Sequence, residues 1–409
     1  MCHEEWTLYY KKILKRMVYL DRWLPDNIMT ETKKKYFLLY LNTGGGHLAP
    51  AKSIANCIDK LSSHSIEPVL IDGFEKANRT IQLMVEDGYR KLQRGGKWFY
   101  KFLYALYHIP IVTFINDMVL ASSITPYLEK RILEDKPEKI IIFHFFLIRP
   151  VYRILKKHTL KIPVFTVVTD PFTAHPFWFV NKKQHFILFS ERLKKHSLKG
   201  KLPEGNLHVF PFILDEKFSS PLPAENIPAL KKKYDFDPRK KMVLIFGGGD
   251  GIPNGKKILE LLLKSHIDLN IGIVGGKDED LFNKAKELKQ QYKAQNIQVF
   301  GYVDFIYDLL NISDFVITKA GASATMEILH LKKVPIIIDY IWGQEKGNME
   351  YIRYNKMGIF ERDINKLPSI LLELINNEDK QSYFTRNIEK ENLKIGTEEV
   401  TRFILNDRR

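Results

Sequence analysis

Two apolar runs of this chain end in clusters of glycine, and each cluster opens a helix. In "YFLLYLNTGGGHLAPAKSIANCI" (Tyr36–Ile58) the apolar run breaks at Gly44, Gly45, Gly46 and His47. Ala51, Ile54, Ala55 and Ile58 then fall on one helical face. In "VLIFGGGDGIPNGKKILELLL" (Val243–Leu263) the break is Gly247, Gly248, Gly249 and Gly251. Such a turn suits a parallel α/β sheet, where ligands sit outside the carboxyl ends of the strands. Glycine lets another molecule approach the backbone, and the following helix offers unpaired N–H groups and a positive dipole end. Neither turn is a Walker A loop, and neither gives a clean G-x-G-x-x-G with a well-placed acid.

The rest of the pattern agrees. Short apolar runs recur at Tyr36–Leu41, Pro68–Ile71, Lys139–Phe145, Val164–Val168, His185–Phe189 and Leu207–Phe210. A second series follows at Met242–Phe246, Leu269–Val274, Ile297–Phe300, Phe315–Ile317 and Val334–Ile338. Helix-patterned segments lie between them, the signature of doubly wound parallel sheets. A chain of 409 residues is long for one core, so two α/β domains are expected. The Pro- and charge-rich Pro221–Lys241 reads as a linker with an outer helix. The boundaries read as an extension over 1–33, domains over 34–215 and 241–385, a linker over 216–240 and a C-terminal helix over 386–409 that packs back on the first domain.

The net charge of +15 at pH 7 calls for an anionic partner: nucleic acid, a membrane surface or a phosphorylated ligand. The two cysteines, Cys2 and Cys57, make neither a disulfide framework nor a metal site, which fits a reducing cytoplasm. No apolar run reaches the roughly 18 residues of a spanning helix. The charges scattered through the N-terminus do not read as a signal peptide.

A third stretch carries chemistry. In "SDFVITKAGASATMEILHLKKVPIIIDYIWGQEKGNMEYI" (Ser313–Ile352) a small-residue turn over Ala320–Ser323 opens a helix holding Glu327. The next strand leads to Gly343, Gln344, Glu345 and Asn348. These groups suit sugar and ribose hydroxyls.

Taken in order, "NTGGGH", "VVTDPFTAHPFW", "GGGDG", "ITKAGASATMEIL" and "GQEKGN" resemble the monogalactosyldiacylglycerol synthases and the processive diacylglycerol glucosyltransferases. More distantly they resemble the peptidoglycan GlcNAc transferase. The resemblance spans about residues 36 to 360. It implies a GT-B fold, two facing Rossmann-like domains with a cleft between them, the first taking the acceptor and the second the nucleotide sugar. It implies that Gly248, Gly249 and Gly251 cradle the diphosphate, and that Val303, Phe305 and Ile306 meet the uracil. Glu327, in the turn with Ala320 and Gly321, holds the ribose, and Gln344, Glu345 and Asn348 read the hexose. Gly45 and Gly46 line the acceptor side with His175. His47 and Asp170 are the catalytic candidates.

Three departures stand out: Leu48 where relatives often have Arg, Phe145 after His144 where they often have Pro, and no second glycine in "AGASATME".

The implied reaction is transfer of galactose or glucose from a UDP-sugar to diacylglycerol, with inversion to a β-glycosyl lipid. Another lipid acceptor, a sterol or a polyprenyl-linked intermediate, stays open. A nucleic-acid binder fits the charge, but no recognisable module is present. His47 is favoured as base over a phosphate-binding or capping role. Asp170 is balanced between orienting or replacing it and capping a strand end. The Asp-x-Asp pairs Asp235/Asp237 and Asp278/Asp280 lie outside the glycine turns, so no obligatory metal or cofactor is expected. Lys91–Ile111 mixes Trp98, Phe99 and Phe102 with Lys97 and Lys101, the composition of a bilayer interface. The expectation is a cytoplasmic protein held peripherally on the inner, anionic membrane face. A basic helix within 1–30 either assists or packs on the core.

Overall fold

The computed structural model describes residues 33–42, 45–76 and 110–407. The extension over 1–30 and the interfacial segment Lys91–Ile111, with Trp98, Phe99, Phe102, Lys97 and Lys101, lie outside the described residues except for the last two positions of that segment.

The first sheet begins with β1 (Lys34–Tyr40), helix α1 (Gly45–Leu61) and β2 (Ile66–Asp72). After α2 (Pro110–Asp135) come β3 (Lys139–Ile142), α3 (Ile148–Lys157), β4 (Val164–Val167), β5 (His185–Leu188), α4 (Glu191–Lys199) and β6 (Leu207–Val209). The strand order is β2-β1-β3-β4-β5-β6, and the ladders from β1·β3 through β5·β6 are parallel. β3, β4 and β5 are buried along their whole length, as strands covered on both faces must be. The apolar run expected to reach Phe145 stops pairing at Ile142, because the His144 side chain accepts the Phe146 N–H and starts a 3-10 turn.

A short helix α5 (Ile227–Lys233) leads to the second sheet. It runs β7 (Met242–Phe246), α6 (Gly255–Lys264), β8 (Asn270–Val274), α7 (Glu279–Gln291), β9 (Ile297–Phe300) and α8 (Ile306–Ile312). It continues with β10 (Phe315–Lys319), α9 (Ala322–His330), β11 (Val334–Asp339), α10 (Lys346–Tyr354) and β12 (Ile359–Phe360). The order is β12-β11-β10-β7-β8-β9, again parallel throughout. Helices α11 (Leu367–Asn376), α12 (Glu378–Lys390) and α13 (Thr397–Asn406) complete the chain. Residue 386 thus falls inside α12, and the last helix starts at Thr397.

In each sheet the chain winds first one way and then the other. The reversal lies between β1 and β3 in the first sheet and between β7 and β10 in the second. These are the switch points where open α/β sheets form a crevice. Both glycine clusters sit there.

The apolar stripe of α1 is buried as its spacing predicts, with Ala51, Ile54 and Ile58 fully covered. It shares one core cluster with Met326 and Ile328 of α9 and Val400 and Ile404 of α13. The C-terminal helix therefore closes against the first sheet. Buried Lys139, at the start of β3, fixes its end: Nζ donates to the carbonyls of Ile404 at 2.5 Å and Asp407 at 2.6 Å. Those carbonyls have no intrahelical partner of their own. Lys139→Met should therefore cost about 1–3 kcal/mol, the penalty for stranding buried acceptors. It should also speed amide exchange within 397–406. Unchanged melting and unchanged exchange there would remove the anchor.

Candidate active site: a cleft between two switch points

The two glycine turns face each other. A Cβ placed on Gly249 would lie 3.5 Å from the Gly45 backbone nitrogen. Beside them, Lys277 Nζ donates to Asn42 Oδ1 at 2.9 Å. From the first domain Gly45, Gly46, His47, Thr169 and Asp170 line the cleft. From the second come Gly248, Gly249, Val303, Ile306, Gly321, Glu327, Gln344 and Glu345.

His47 stands in the first turn of α1. Its Nδ1 lies 2.7 Å from the Phe143 carbonyl and 3.1 Å from Thr169 Oγ1. A carbonyl only accepts, so the ring proton of the neutral imidazole sits on Nδ1 and the lone pair on Nε2. Burial pushes the imidazole down to about 4, opposed in part by the Phe143 carbonyl. His144 meets it edge-on, with ring centroids 4.5 Å apart, and is itself held well below its usual value by burial and by His47. His144 thus packs directly against the candidate base, with Phe145 against His144 in turn.

Asp170 follows β4. Its Oδ2 accepts the indole N–H of fully buried Trp178 at 2.9 Å. Burial pushes the carboxyl up to about 7, the Trp178 bond pulls against this, and the nearby Glu345 adds to it.

On the opposite wall, Gly248 and Gly251 take φ of +87° and +77°, a region that L side chains avoid. Gly321 N-caps α9 without a side-chain cap, leaving the first amides of that helix open to the cleft. Glu327 makes no side-chain hydrogen bond among the described residues. Burial pushes it up to about 7, with Lys217 opposing. Glu345 Oε2 accepts the Ile341 N–H at 2.7 Å; burial raises its carboxyl, against the charge of Lys319.

Five expected residues do not reach the cleft wall. Gly251 folds into the turn, its N–H donating to the Gly248 carbonyl at 3.2 Å. Phe305 stacks on Tyr234, with centroids 5.0 Å apart. Ala320 is fully buried, and its carbonyl accepts from buried Asn348 Nδ2 at 2.8 Å, so both act from beneath. His175 caps a 3-10 turn and stacks on Phe145. Of the Asp-x-Asp pairs, Asp237 accepts the Arg239 N–H and Asp278 caps α7.

The structure also adds residues. Thr169 lies just past β4 against His47, and Lys319 ends β10 in the cleft. Both occupy the carboxyl end of a parallel strand, which was the sequence signal available for them.

Two facing Rossmann-like domains with the cleft at paired switch points make a GT-B fold. The family model for monogalactosyldiacylglycerol (MGDG) synthase matches residues 47–210, and that for the glycosyltransferase family 28 C-terminal domain matches residues 242–398. The chain is 27% identical over 369 residues to a probable chloroplastic monogalactosyldiacylglycerol synthase of Nicotiana tabacum, covering 86% of this chain and 66% of that protein. It is 26% identical over 373 residues to a processive diacylglycerol beta-glucosyltransferase of Bacillus pumilus, covering 90% and 94%. The crystal structure of Acinetobacter baumannii MurG superposes with a TM-score of 0.58 at 14% identity, covering 91% of this chain and 100% of that one, a likeness of fold. The chain has the GT-B fold and carries an MGDG synthase-type segment over residues 47–210 and a glycosyltransferase family 28 C-terminal domain over residues 242–398.

The raised carboxyls make a testable statement about stability. Near pH 4 to 7 the folded protein keeps protons on Asp170 and Glu327 that the unfolded chain, with carboxyls near 4, has released. Their contribution to stability therefore falls as pH rises through that window. Asp170→Asn and Glu327→Gln should each stabilise the protein by about 1–3 kcal/mol near pH 8, allowing for solvent screening at the cleft mouth, and by nothing near pH 4. Denaturant melts at the two pH values decide it; equal effects at both would contradict the buried-carboxyl assignment.

Proposed function

We propose that the protein transfers a hexose, galactose or glucose, from a UDP-sugar to diacylglycerol with inversion, giving a β-glycosyl diacylglycerol. One observation carries the reading: a proton-accepting pair, His47 and Asp170, faces a glycine turn and an open helix N-terminus across a single cleft. The names of the tobacco and Bacillus relatives supply the acceptor class.

In this mechanism the diphosphate lies against the Gly248–Gly249 amides and the N-terminus of α9, where backbone donors and the helix dipole favour negative charge. Val303 and Ile306 flank the base, Glu327 takes the ribose hydroxyls, and Gln344 and Glu345 meet the hexose. The lipid hydroxyl enters beside Gly45 and Gly46. His47 Nε2 takes its proton as the oxygen attacks the anomeric carbon. The bond to the β-phosphate oxygen breaks, and UDP leaves with the electron pair. An imidazole held near 4 by burial is a weak base. The two negative charges of a bound donor raise it, and ionised Asp170 stabilises the imidazolium. No cofactor takes part in this scheme, since the amides and the helix end serve the leaving group.

No helix among the described residues is long and apolar enough to cross a membrane. We place the protein peripherally, on the cytoplasmic face, through Lys91–Ile111. A basic surface on the first domain supports this: Arg149, Arg153, Lys156, Lys182 and Lys183 ring one depression, and Arg192, Lys195 and Lys199 another. Each basic group near an anionic surface is worth about 1 kcal/mol.

Incubating the protein with labelled UDP-glucose or UDP-galactose and vesicles of diacylglycerol, sterol or polyprenyl phosphate, then resolving the lipids, tests the acceptor. Label confined to a non-glycerol lipid would overturn diacylglycerol. Glu327→Ala should weaken UDP binding by roughly 2–4 kcal/mol. His47→Ala should leave UDP binding intact and cut turnover by about 10²–10⁴. Unchanged UDP affinity by calorimetry, or near-normal turnover, would remove the respective role. Co-sedimentation should rise with anionic lipid and fall with salt. Equal binding to neutral and anionic vesicles would reject electrostatic attachment.

A further inference from the structure

The loop after Asp170 crosses to the other domain. Thr173 Oγ1 donates to the Gln344 carbonyl at 2.7 Å and accepts the Gly347 N–H at 3.2 Å. One hydroxyl of the first domain therefore satisfies two backbone groups at the start of α10. Phe172 stacks on Tyr351 with centroids 4.1 Å apart, and Arg192 pairs with Glu350 at 2.5 Å. The approach is tight. A Cβ on Gly347 would lie 2.8 Å from Phe172 Cβ and 2.9 Å from Thr173 Oγ1. This gives the second glycine of "GQEKGN" a physical reason, since any side chain there would push the two domains apart.

From this geometry we infer that Thr173 is a positioning residue that holds the Gln344–Glu345 loop at the cleft wall, so that the acceptor domain itself shapes the hexose subsite. The inference rests on the proposed sugar transfer for its kinetic consequence. Its structural content stands apart. Gln344 and Glu345 line the cleft, and the segment carrying them is pinned at two ends: Glu345 to the Ile341 N–H within the second domain, and Gln344 and Gly347 to Thr173 from the first. Losing the Thr173 pin frees the loop while leaving the nucleotide wall of Gly248, Gly249 and Glu327 untouched. The hexose, not the UDP, should register the change.

Thr173→Val keeps the shape and deletes both hydrogen bonds; Thr173→Ser keeps the hydroxyl. Hydrogen exchange over 341–348 should quicken in Thr173→Val and not in Thr173→Ser. Thr173→Val should bind UDP as the wild type does, which also shows that it folds. Its kcat/KM for the UDP-sugar should fall about 10- to 100-fold, the usual result of a misplaced reacting group. Thr173→Ser should restore most of it. Gly347→Ala should show the same loss with no rescue by Thr173→Ser. Unchanged exchange in Thr173→Val overturns the inference, as does quickened exchange with an unchanged kcat/KM. If wild type transfers no hexose to any lipid tested, the proposed reaction fails, and exchange over 341–348 alone decides the inference, quickening supporting it and no change overturning it.

Discussion

Parallel strands deliver all their carboxyl ends to one edge of a sheet, and this chain turns two such edges toward each other. Almost every feature of the site follows from that geometry. The chain reverses direction between β1 and β3 and between β7 and β10, so each edge has a crevice, and the two crevices meet. The two turns meet closely: a Cβ at Gly249 would stand in van der Waals contact with the Gly45 backbone, 3.5 Å from its nitrogen. The shared core under α1, α9 and α13 holds the edges in register.

Closeness has an electrostatic consequence. Side chains in the narrow cleft lose water, and the charged form of each becomes expensive. His47 is kept neutral with its proton directed to the Phe143 carbonyl, while Asp170 and Glu327 are pushed to about 7. A fold selected for stability alone would not place these groups together. Grouping strained titratable residues in a cleft is the ordinary mark of a site kept for chemistry.

Much of this was legible in the sequence, and the exceptions share a cause. Met242–Phe246 pairs as read, since a fully buried parallel strand is simply an apolar run, and the edge strand Ile297–Phe300 pairs as read although only Ile297 is buried. The two-residue β12 carries too little pattern to be seen. The glycine turns announced the cleft, and the family likeness placed Glu327 and Glu345 on it. What the sequence did not reveal depends on contacts across the fold. Thr169 meets His47 from 122 positions away, and Thr173 meets Gln344 from 171. A threonine in a loop has no local signature for such a role. Asn348 and Ala320 bond to each other below the surface, a contact between positions 28 apart that the motif did not announce.

The central claim is that base and leaving group act from opposite walls of one cleft. A single displacement across it must invert the anomeric carbon. Proton NMR of the glycolipid made from UDP-α-glucose or UDP-α-galactose reads that carbon directly. The account predicts a β-linked product alone. An α-linked product would mean that the hydroxyl and the departing UDP share one face, and the facing-wall mechanism would be wrong.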